Sequence, residues 1–381
     1  MVYGGVPFEL TETERELLAD ARRVARNHLD GIARSGKPGR VNRDLVRGLG
    51  DHGLLARLLP EAGDVEPLTV CLLREGLAQF CTEAETALAM QGLGGVPILR
   101  FGTGDVRQQW IPTIVRGEAI AAFAMTEPEH GSDATSLELR AEPVGGGFRL
   151  TGEKTWISNA PDADIYTIFG RTTADAGSKG ITAFALPGDT DGLSGEAVEL
   201  LSGHPIGRLL LDGVFVPNDH VLGEVDEGWR VAAATFALFR PSVGAFAVGM
   251  AQAALDAAIA HATSREQFGR PLRDFQAVSH PIAEMATRLE AARTLVYRAA
   301  ASASTEPQLA SMAKLFATEQ AQWIVDAAIQ IHGAAALEKG HPLEHLYREV
   351  RAPRIYEGTS EIQREIIARA LLRSPPDSTE T

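Results

Sequence analysis

Long alanine-rich apolar segments near the C-terminus constrain the fold of this chain more than any other feature. Residues 231–264 contain few helix breakers after Pro241. Residues 276–301 and 309–333 carry apolar side chains at helical spacing. Successive long apolar helices usually pack side by side as a bundle. The sequence therefore predicts a C-terminal helical bundle over residues 226–374.

The preceding segment has the pattern of a β domain. Its short β-rich runs are residues 120–125, 147–150, 165–170, 181–186 and 209–216. Glycine clusters and Pro-Gly and Asp-Gly pairs separate these runs, as turns do. We therefore expect a compact β domain over residues 120–225.

The N-terminal segment, residues 1–119, is predicted to be an α-helical domain. The letters LTETE at residues 10–14 are typical of a capped helix start. An apolar stretch over residues 68–93 runs into a glycine cluster, GLGGVP at residues 92–97. No strand precedes this cluster, so it predicts a helix–helix turn and not a dinucleotide-binding loop. The fold class is thus mainly α with a β middle domain, and residues 375–381 are predicted to be a disordered tail.

Composition excludes several functional classes. The net charge of -14 argues against nucleic acid or an anionic membrane surface as a partner. The sequence contains no run of 18 uncharged apolar residues, so no membrane span is expected. The first residues lack the pattern of a signal peptide. Two cysteines, Cys71 and Cys81, are too far apart for a CxxC motif. We therefore expect a cytoplasmic protein in a reducing compartment.

A glutamate near the C-terminus is the first candidate catalytic residue. Glu357 follows Pro353 and directly precedes Gly358, so it lies on a short constrained loop. Ser360 and Gln363 fit a capping box that opens the next helix. A carboxylate buried at such a place would have a raised pKa and could act as a base. The alternative is an exposed loop glutamate.

Five motifs follow one another in order along nearly the whole chain. They are AMTEPEHGSD (124–133), GEKTWISN (152–159), REQFG (265–269), QIHG (330–333) and IYEGTSEIQ (355–363). Together they resemble the FAD-dependent acyl-CoA dehydrogenase family. The resemblance implies an N-terminal α domain, a β-barrel-like middle domain and a C-terminal four-helix bundle. It also implies a homotetramer, with a homodimer left open, and a flavin lying between domains and near a neighbouring subunit.

The resemblance also implies the residues of the site, with Glu357 as the base. Residues that would line the flavin are Phe123, Met125, Thr126, Ser132, Trp156, Ile157 and Ser158. Residues that would contact FAD elsewhere, the first three of them on the cofactor of a partner subunit, are Arg265, Phe268, Gln276, Gln330, Gly333, Thr359 and Glu361. Residues that would contact the substrate are Ser132, Arg240 and Gly358.

Each of these motifs has a structural alternative when it is considered alone. The loop that begins at Thr126 could be an ordinary turn, and Trp156 could be a core aromatic residue. Arg265 could complement the dipole at a helix C-terminus. His341 and His345 fit a zinc-peptidase pattern, but Pro342 between them and the absence of a third ligand in the motif argue against a metal site.

Three departures from the family pattern concern the substrate. Ala237 stands where the family often has an aspartate, three residues before Arg240. Ala334 replaces a glycine, and the aromatic residue usual soon after it is absent. Glu129 and His130 are more polar than the commonest form of their loop. These changes leave the acyl specificity open.

The reaction that the resemblance implies is the α,β-dehydrogenation of an acyl-CoA thioester to the trans-2-enoyl-CoA. Glu357 would remove the α-proton, and the β-hydride would pass to flavin N5. The Glu357 backbone N–H and a flavin ribityl hydroxyl would hold the thioester carbonyl, each contributing roughly 3–4 kcal/mol. An electron-transfer flavoprotein would reoxidise the flavin. Alternatives are a specialised dehydrogenase or oxidase acting on a carrier-protein or unusual thioester, and a catalytically silent flavin-binding scaffold.

Overall fold

The computed structural model describes residues 9–302 and 307–372 of the chain. These residues form two compact units, a first unit of Thr11–Phe239 and a second unit that contains the chain from Arg240 onward. The predicted tail, residues 375–381, and the first residues of the chain lie outside the described residues. The boundaries at residues 119 and 225 stay a prediction.

Helices open the first unit, as the sequence predicts. They are α1 (Glu12–Val24), α2 (Asp30–Arg34), α3 (Arg43–Asp51), α4 (Leu54–Leu58), α5 (Pro67–Ala78), α6 (Thr82–Phe101) and α7 (Gly104–Val115). Thr11 caps α1 through a complete capping box with Glu14, so the predicted start of this helix is confirmed. Both cysteines are free and buried in this unit, and burial raises the pKa of each thiol.

The predicted helix–helix turn at residues 92–97 is wrong, because α6 continues through the glycine cluster. The glycines allow close packing instead of a turn. A Cβ atom on Gly94 would lie 2.5 Å from the backbone nitrogen of Ala122, and one on Gly92 would lie 2.5 Å from the ring of Phe239. The helix therefore lies directly against its neighbours, and only hydrogen fits at these positions.

The charged residues that interrupt the apolar stretch lie in the core. Arg74 is 1% exposed and pairs with the buried Glu85 of the next helix. Glu75 is also buried and accepts a hydrogen bond from Arg22 of α1 at 3.3 Å. Charges in a protein interior need such partners. These ion pairs therefore link α1, α5 and α6.

We expect Gly94→Ala to lower the free energy of unfolding of the protein by about 1–3 kcal/mol, because the new methyl group meets backbone and not a movable side chain. Gly31→Ala is the matched control, since a Cβ atom at Gly31 in α2 meets nothing within 4 Å. The free energy of unfolding of this control should rise by about 0.5–1 kcal/mol, because alanine loses less conformational freedom than glycine in a helix. Denaturant unfolding measures both changes, and equal stability of the two variants would contradict the packing argument.

A single mixed sheet follows the helices in the first unit. Its strands are β1 (Ala121–Ala124), β2 (Arg140–Val144), β3 (Gly147–Ser158), β4 (Ile165–Arg171), β5 (Ile181–Pro187), β6 (Leu193–Ala197), β7 (Ile206–Pro217) and β8 (Val221–Leu222). The strand order is β6-β7-β3-β2-β4-β5-β8, with β1 paired in parallel to β4. All five predicted β-rich runs overlap strands of this sheet, and β2, β6 and β8 were not predicted. The sheet brings the ends of β1 and β3 to the candidate site.

The second unit is helical. Its first helix is α8 (Gly228–Ser264), which begins in the first unit and lies mostly in the second. A short hairpin of β9 (Glu266–Gln267) and β10 (Arg270–Pro271) follows, and then come α9 (Gln276–Ala301), α10 (Pro307–His332), α11 (Pro342–Glu349) and α12 (Ser360–Leu372). A Cβ atom on Gly244 of α8 would meet Val296 of α9 at 2.7 Å and Ala317 of α10 at 3.4 Å. The long helices therefore pack tightly, as the predicted bundle requires.

The length and composition of α8 would allow it to cross a membrane. However, 67% of its most apolar 18-residue window is buried inside the protein. Core helices of soluble proteins have the same features, so α8 is a core helix of the bundle.

Candidate active site

The first group of predicted site residues lies where the chain leaving β1 meets β3. Phe123 is in β1, and Met125 and Thr126 follow it directly. The Thr155 backbone N–H in β3 donates to the Thr126 carbonyl oxygen at 2.9 Å. This hydrogen bond brings the segment after β1 next to Trp156. The structure therefore unites residues that the sequence separates by about thirty positions.

A buried ion pair fixes the loop that follows β1. Lys154 is 0% exposed, and its Nζ donates to the Met125 carbonyl oxygen at 2.9 Å and to Glu127 Oε1 at 2.8 Å. The Glu127 carboxylate also accepts hydrogen bonds from the backbone N–H groups of Glu138 and Leu139, at 2.6 and 2.9 Å. One carboxylate therefore holds both ends of the segment between residues 127 and 138. No motif in the sequence predicts that Lys154 and Glu127 form a pair.

Trp156 lies on an irregular part of β3. The pairing of β3 with β7 shifts register between Lys154 and Ile157, and Trp156 has a φ of +56°. The bulge directs its indole outward, where the side chain is 49% exposed. Trp156 is therefore not a core aromatic residue. Ile157 is 1% exposed and packs in the core, so only its backbone could contact a ligand.

The hydroxyl of Ser158 has a histidine partner. Ser158 Oγ lies 2.7 Å from His204 Nε2, and burial lowers the pKa of His204 to about 4. The imidazole is therefore neutral at physiological pH and orients the hydroxyl by a hydrogen bond. His204 lies in a loop and carries no motif that would have identified it in the sequence.

These side chains suit a flat polar ring. The half-exposed indole of Trp156 offers an aromatic surface, and the side chains of Thr126 and Ser158 supply hydroxyl groups that are not fully buried. Ser132 is exposed in the loop between residues 127 and 138. Hydroxyl groups both donate and accept hydrogen bonds, as the edge of a flavin ring requires. The donor set of this group therefore fits the isoalloxazine of FAD.

A second group of site residues surrounds Glu357 in the second unit. Glu357 has a φ of +51° and Gly358 a φ of +87°, so two successive residues adopt left-handed backbone. This conformation costs a non-glycine residue about 1–2 kcal/mol. Both oxygens of the Glu357 carboxylate are buried, so the exposed-loop alternative does not hold. A Cβ atom at Gly358 would lie 2.5 Å from Gln363 Nε2, which explains the glycine.

The predicted capping box of Ser360 and Gln363 is wrong. Thr359 caps α12, because its Oγ1 accepts the Ile362 backbone N–H at 3.3 Å. Ser360 instead donates to Glu319 of α10 at 2.7 Å. Gln363 donates to the carbonyl oxygens of Glu357 and Gly358 at 3.2 and 2.9 Å. Both side chains thus fix the loop and do not cap the helix. Glu361 lies exposed in the first turn of α12.

Arg240 lies in α8 near Glu357. The guanidinium is largely enclosed, and burial lowers the pKa of Arg240 while the charge of Glu357 opposes this change. Arg240 Nε is buried without a hydrogen-bond partner among the described residues. Ala237, one helical turn before Arg240, has no carboxylate that could pair with it. A buried cationic donor therefore remains available beside the candidate base.

A third group lies on an exposed hairpin. Arg265 directly follows α8, and Phe268 has a φ of +53° and is 94% exposed. Gln276 is the exposed first residue of α9. The Phe268 ring is 6.1 Å from that of Phe275. Most of the Phe268 ring is therefore accessible to a ligand.

The end of α10 carries a set of histidines beside two predicted residues, Gln330 and Gly333, both of which are exposed. His332 stacks on His261 of α8 with ring centroids 4.2 Å apart, and its ring lies 5.6 Å from that of His341. His341 caps α11 by accepting the Leu343 backbone N–H at 3.1 Å.

The zinc-peptidase pattern at residues 341–345 has structural uses in the second unit. Besides the cap formed by His341, Glu344 pairs with Arg348 at 2.6 Å. Among the described residues, no group of three or more His, Cys, Asp or Glu side chains could hold a metal ion. His341 and Glu344 therefore stabilise α11 itself.

Sequence profiles of known families match almost the whole chain. The N-terminal, middle and C-terminal domains of acyl-CoA dehydrogenase match residues 11–118, 122–214 and 226–372. The probable acyl-CoA dehydrogenase FadE25 of Mycobacterium tuberculosis is 34% identical over 96% of this chain and 97% of its own. The human mitochondrial short-chain specific acyl-CoA dehydrogenase is 36% identical over 96% and 92%.

Solved structures give the same result. Butyryl-CoA dehydrogenase from Megasphaera elsdenii superposes with a TM-score of 0.91 at 30% identity, covering 97% of this chain and 100% of its own. PigA with FAD and proline gives a TM-score of 0.91 at 29% identity, with the same coverage. The prolyl acyl carrier protein oxidase AnaB gives 0.88 at 28% identity, covering 96% and 100%.

The fold and the donor set thus define a flavin-dependent oxidoreductase. The chain belongs to the acyl-CoA dehydrogenase family, whose members act on CH–CH groups, and its cofactor is FAD. The resemblance carried by the five motifs and the predicted fold class are confirmed.

Proposed function

We propose that this protein removes the α- and β-hydrogens of an acyl-CoA thioester and that Glu357 is the base. The observation that carries this proposal is the Glu357 loop. Its left-handed backbone is held by Gln363, and its carboxylate oxygens are buried near Arg240. A strained conformation of this kind persists only where the surrounding structure imposes it, and such conformations cluster at active sites.

The chemistry needs a positioned base and a stabilised carbonyl. The α-hydrogen of a thioester is weakly acidic, so the Glu357 carboxylate removes it only while donors hold the developing charge on the carbonyl oxygen. The Glu357 backbone N–H is the donor that this chain supplies. Arg240, a cation close to Glu357, favours the ionised carboxylate before the proton is removed. When bound, FAD supplies the hydride acceptor.

We propose cofactor and substrate contacts for each unit separately. In the first unit, the flavin ring would contact Phe123, Met125, Thr126, Ser132, Trp156, Ser158 and the backbone of Ile157. In the second unit, FAD would contact Arg265, Phe268, Gln276, Gln330, Gly333, Thr359 and Glu361. For the substrate, the proposed contact in the first unit is Ser132, and the proposed contacts in the second unit are Arg240 and Gly358. The exposed Phe268 supports a hairpin that reaches the cofactor of a partner subunit in a homotetramer.

An acyl-carrier-protein thioester is the second candidate substrate, with reoxidation by O2. One structural relative favours it, the prolyl acyl carrier protein oxidase AnaB. PigA was solved with FAD and proline, so a prolyl thioester belongs among the substrates to be tested. Ala237 is the departure to examine first, because the family aspartate at this position lies near the thioester channel.

An anaerobic titration tests the proposal. The purified holoenzyme is mixed with a panel of acyl-CoAs, and with acyl and prolyl thioesters of a carrier protein, while the oxidised flavin band is recorded. We expect one acyl-CoA to bleach this band. Bleaching by carrier-protein thioesters alone would replace the CoA substrate by the second candidate. A flavoprotein that no thioester bleaches would contradict both.

We further propose an electron-transfer flavoprotein as the electron acceptor and the cytoplasm as the compartment. Both cysteines are buried free thiols, as in proteins of reducing compartments. Substrate-reduced enzyme that passes electrons to an electron-transfer flavoprotein faster than to O2 would support the dehydrogenase over the oxidase.

A further inference from the structure

A buried lysine lies against the loop that carries Glu357. Lys314 of α10 is 0% exposed, and its Nζ donates to the Gly358 carbonyl oxygen at 2.7 Å. An ammonium group is rarely buried unless an anion lies near it. One carbonyl oxygen offsets only part of the lost hydration, so the charge of Lys314 needs a further partner.

Glu357 directly precedes Gly358, whose carbonyl group Lys314 holds, so its carboxyl group is on the same loop. Burial lowers the pKa of Lys314 to about 8, and the charge of Glu357 is the largest influence that opposes this change. Arg240 lowers the pKa of Lys314 further, while Glu319 and Glu361 raise it less than Glu357 does.

The other acidic neighbours face different partners. Glu319 accepts one hydrogen bond from Ser360 and forms an ion pair with Arg354 at 2.9 Å. Glu361 is exposed on the first turn of α12 and pairs with Arg364 at 3.3 Å. The charge of Lys314 therefore acts chiefly on the Glu357 carboxylate.

A second side chain makes the same hydrogen bond without a charge. Gln363 of α12 donates to the Gly358 carbonyl oxygen at 2.9 Å, and this residue is fully buried. Lys314 and Gln363 therefore approach one acceptor from two helices and hold the left-handed backbone at Glu357 and Gly358. Variants of Lys314 and of Gln363 can therefore be compared to separate the effect of the hydrogen bond from the effect of the charge.

We infer that Lys314 is a positioning residue for the base. It holds the Gly358 carbonyl group, which fixes the direction of the Glu357 side chain, and its positive charge keeps the carboxylate ionised. Lys314 itself does not contact the reacting atoms. The inference rests on the proposed role of Glu357, and it assigns to Lys314 a function in the reaction beyond packing.

The pH profile of kcat/KM tests this inference. In Lys314→Met the cation is lost, so the carboxylate takes up its proton more readily and the acid limb moves to higher pH by about one unit. Lys314→Arg should restore much of the wild-type profile. Gln363→Met removes the matching neutral donor, so it should lower kcat and leave the acid limb in place.

Lys314→Gln keeps a hydrogen-bond donor and removes the charge. It therefore tests the effect of the charge on the Glu357 carboxylate if Lys314→Met does not fold. Its acid limb should move as in Lys314→Met. Infrared difference spectra of the holoenzyme, with Glu357→Gln as the blank, would follow the same carboxyl group directly. If folded Lys314→Met and Lys314→Gln keep the acid limb of the wild type, and Glu357→Gln is inactive, the inference about Lys314 is overturned and the role of Glu357 stands. A fully active Glu357→Gln would instead overturn the proposed function.

Discussion

Replacing Glu357 with glutamine should slow the reduction of the flavin by the acyl thioester by about 10²- to 10⁴-fold. The amide keeps the size of the side chain but cannot accept the α-proton. The backbone hydrogen bonds of the loop come from Gln363 and Lys314 and do not involve the exchanged atoms. Anaerobic stopped-flow spectroscopy at the flavin band measures the rate.

Glu365→Gln is the matched control for this variant. Glu365 is an exposed glutamate of α12 that pairs with Arg369 at 2.6 Å, so the same chemical change occurs close by without touching the loop. We expect Glu365→Gln to reduce its flavin at the wild-type rate. Both variants should retain FAD. Glu365→Gln should keep the wild-type melting temperature, whereas Glu357→Gln should melt lower, because Lys314 and Arg240 lose their anionic neighbour. Equal rates in Glu357→Gln and the wild type would assign the base to another residue.

Lys154→Met should give the largest loss of stability in the first unit. The Glu127 carboxylate would keep its two backbone donors but lose its only buried ion-pair partner among the described residues. Removing one partner of a buried pair typically costs about 3–5 kcal/mol. The loop after β1 would also lose its bond at the Met125 carbonyl, so purified Lys154→Met should contain less FAD per protein than the wild type.

The double variant Glu127→Gln/Lys154→Met is the control for this prediction. It removes both charges, so no uncompensated carboxylate remains in the interior, and much of the lost stability should return. Denaturant unfolding gives the stability, and the ratio of the flavin band to the protein band gives the FAD content. A double variant as unstable as Lys154→Met would show that packing of the lysine stem, and not the charge, matters.

Apolar periodicity predicted most of the fold. The segments at residues 276–301 and 309–333 match α9 and α10 closely, because long helices bury a continuous apolar stripe that the sequence displays. β2 and β6 were missed because most of their residues are exposed, which leaves little apolar alternation to detect. β8 was missed because it has only two residues. The glycine cluster in α6 was misinterpreted because close packing and turns select the same residue.

The candidate site was predicted less completely. Family motifs supplied Glu357, Trp156 and the other predicted residues, but they did not supply the residues that hold these in place. Lys314 reaches Gly358 across 44 positions of the chain, and Lys154 reaches Glu127 across 27. A lysine within an apolar helical segment is a sequence feature that could have drawn attention to Lys314. Its partner is set by how the helices pack, which local sequence does not encode.

Because Cys71 and Cys81 are buried, the folded protein should react very little with thiol-directed reagents. Neither sulfur is exposed, and burial disfavours the thiolate form that reacts. A cysteine introduced on the exposed hairpin, for instance by Glu266→Cys, would therefore take up a fluorescent label by itself. The emission of such a label would report on the surroundings of the hairpin in the otherwise native protein, with no need to remove the natural cysteines first.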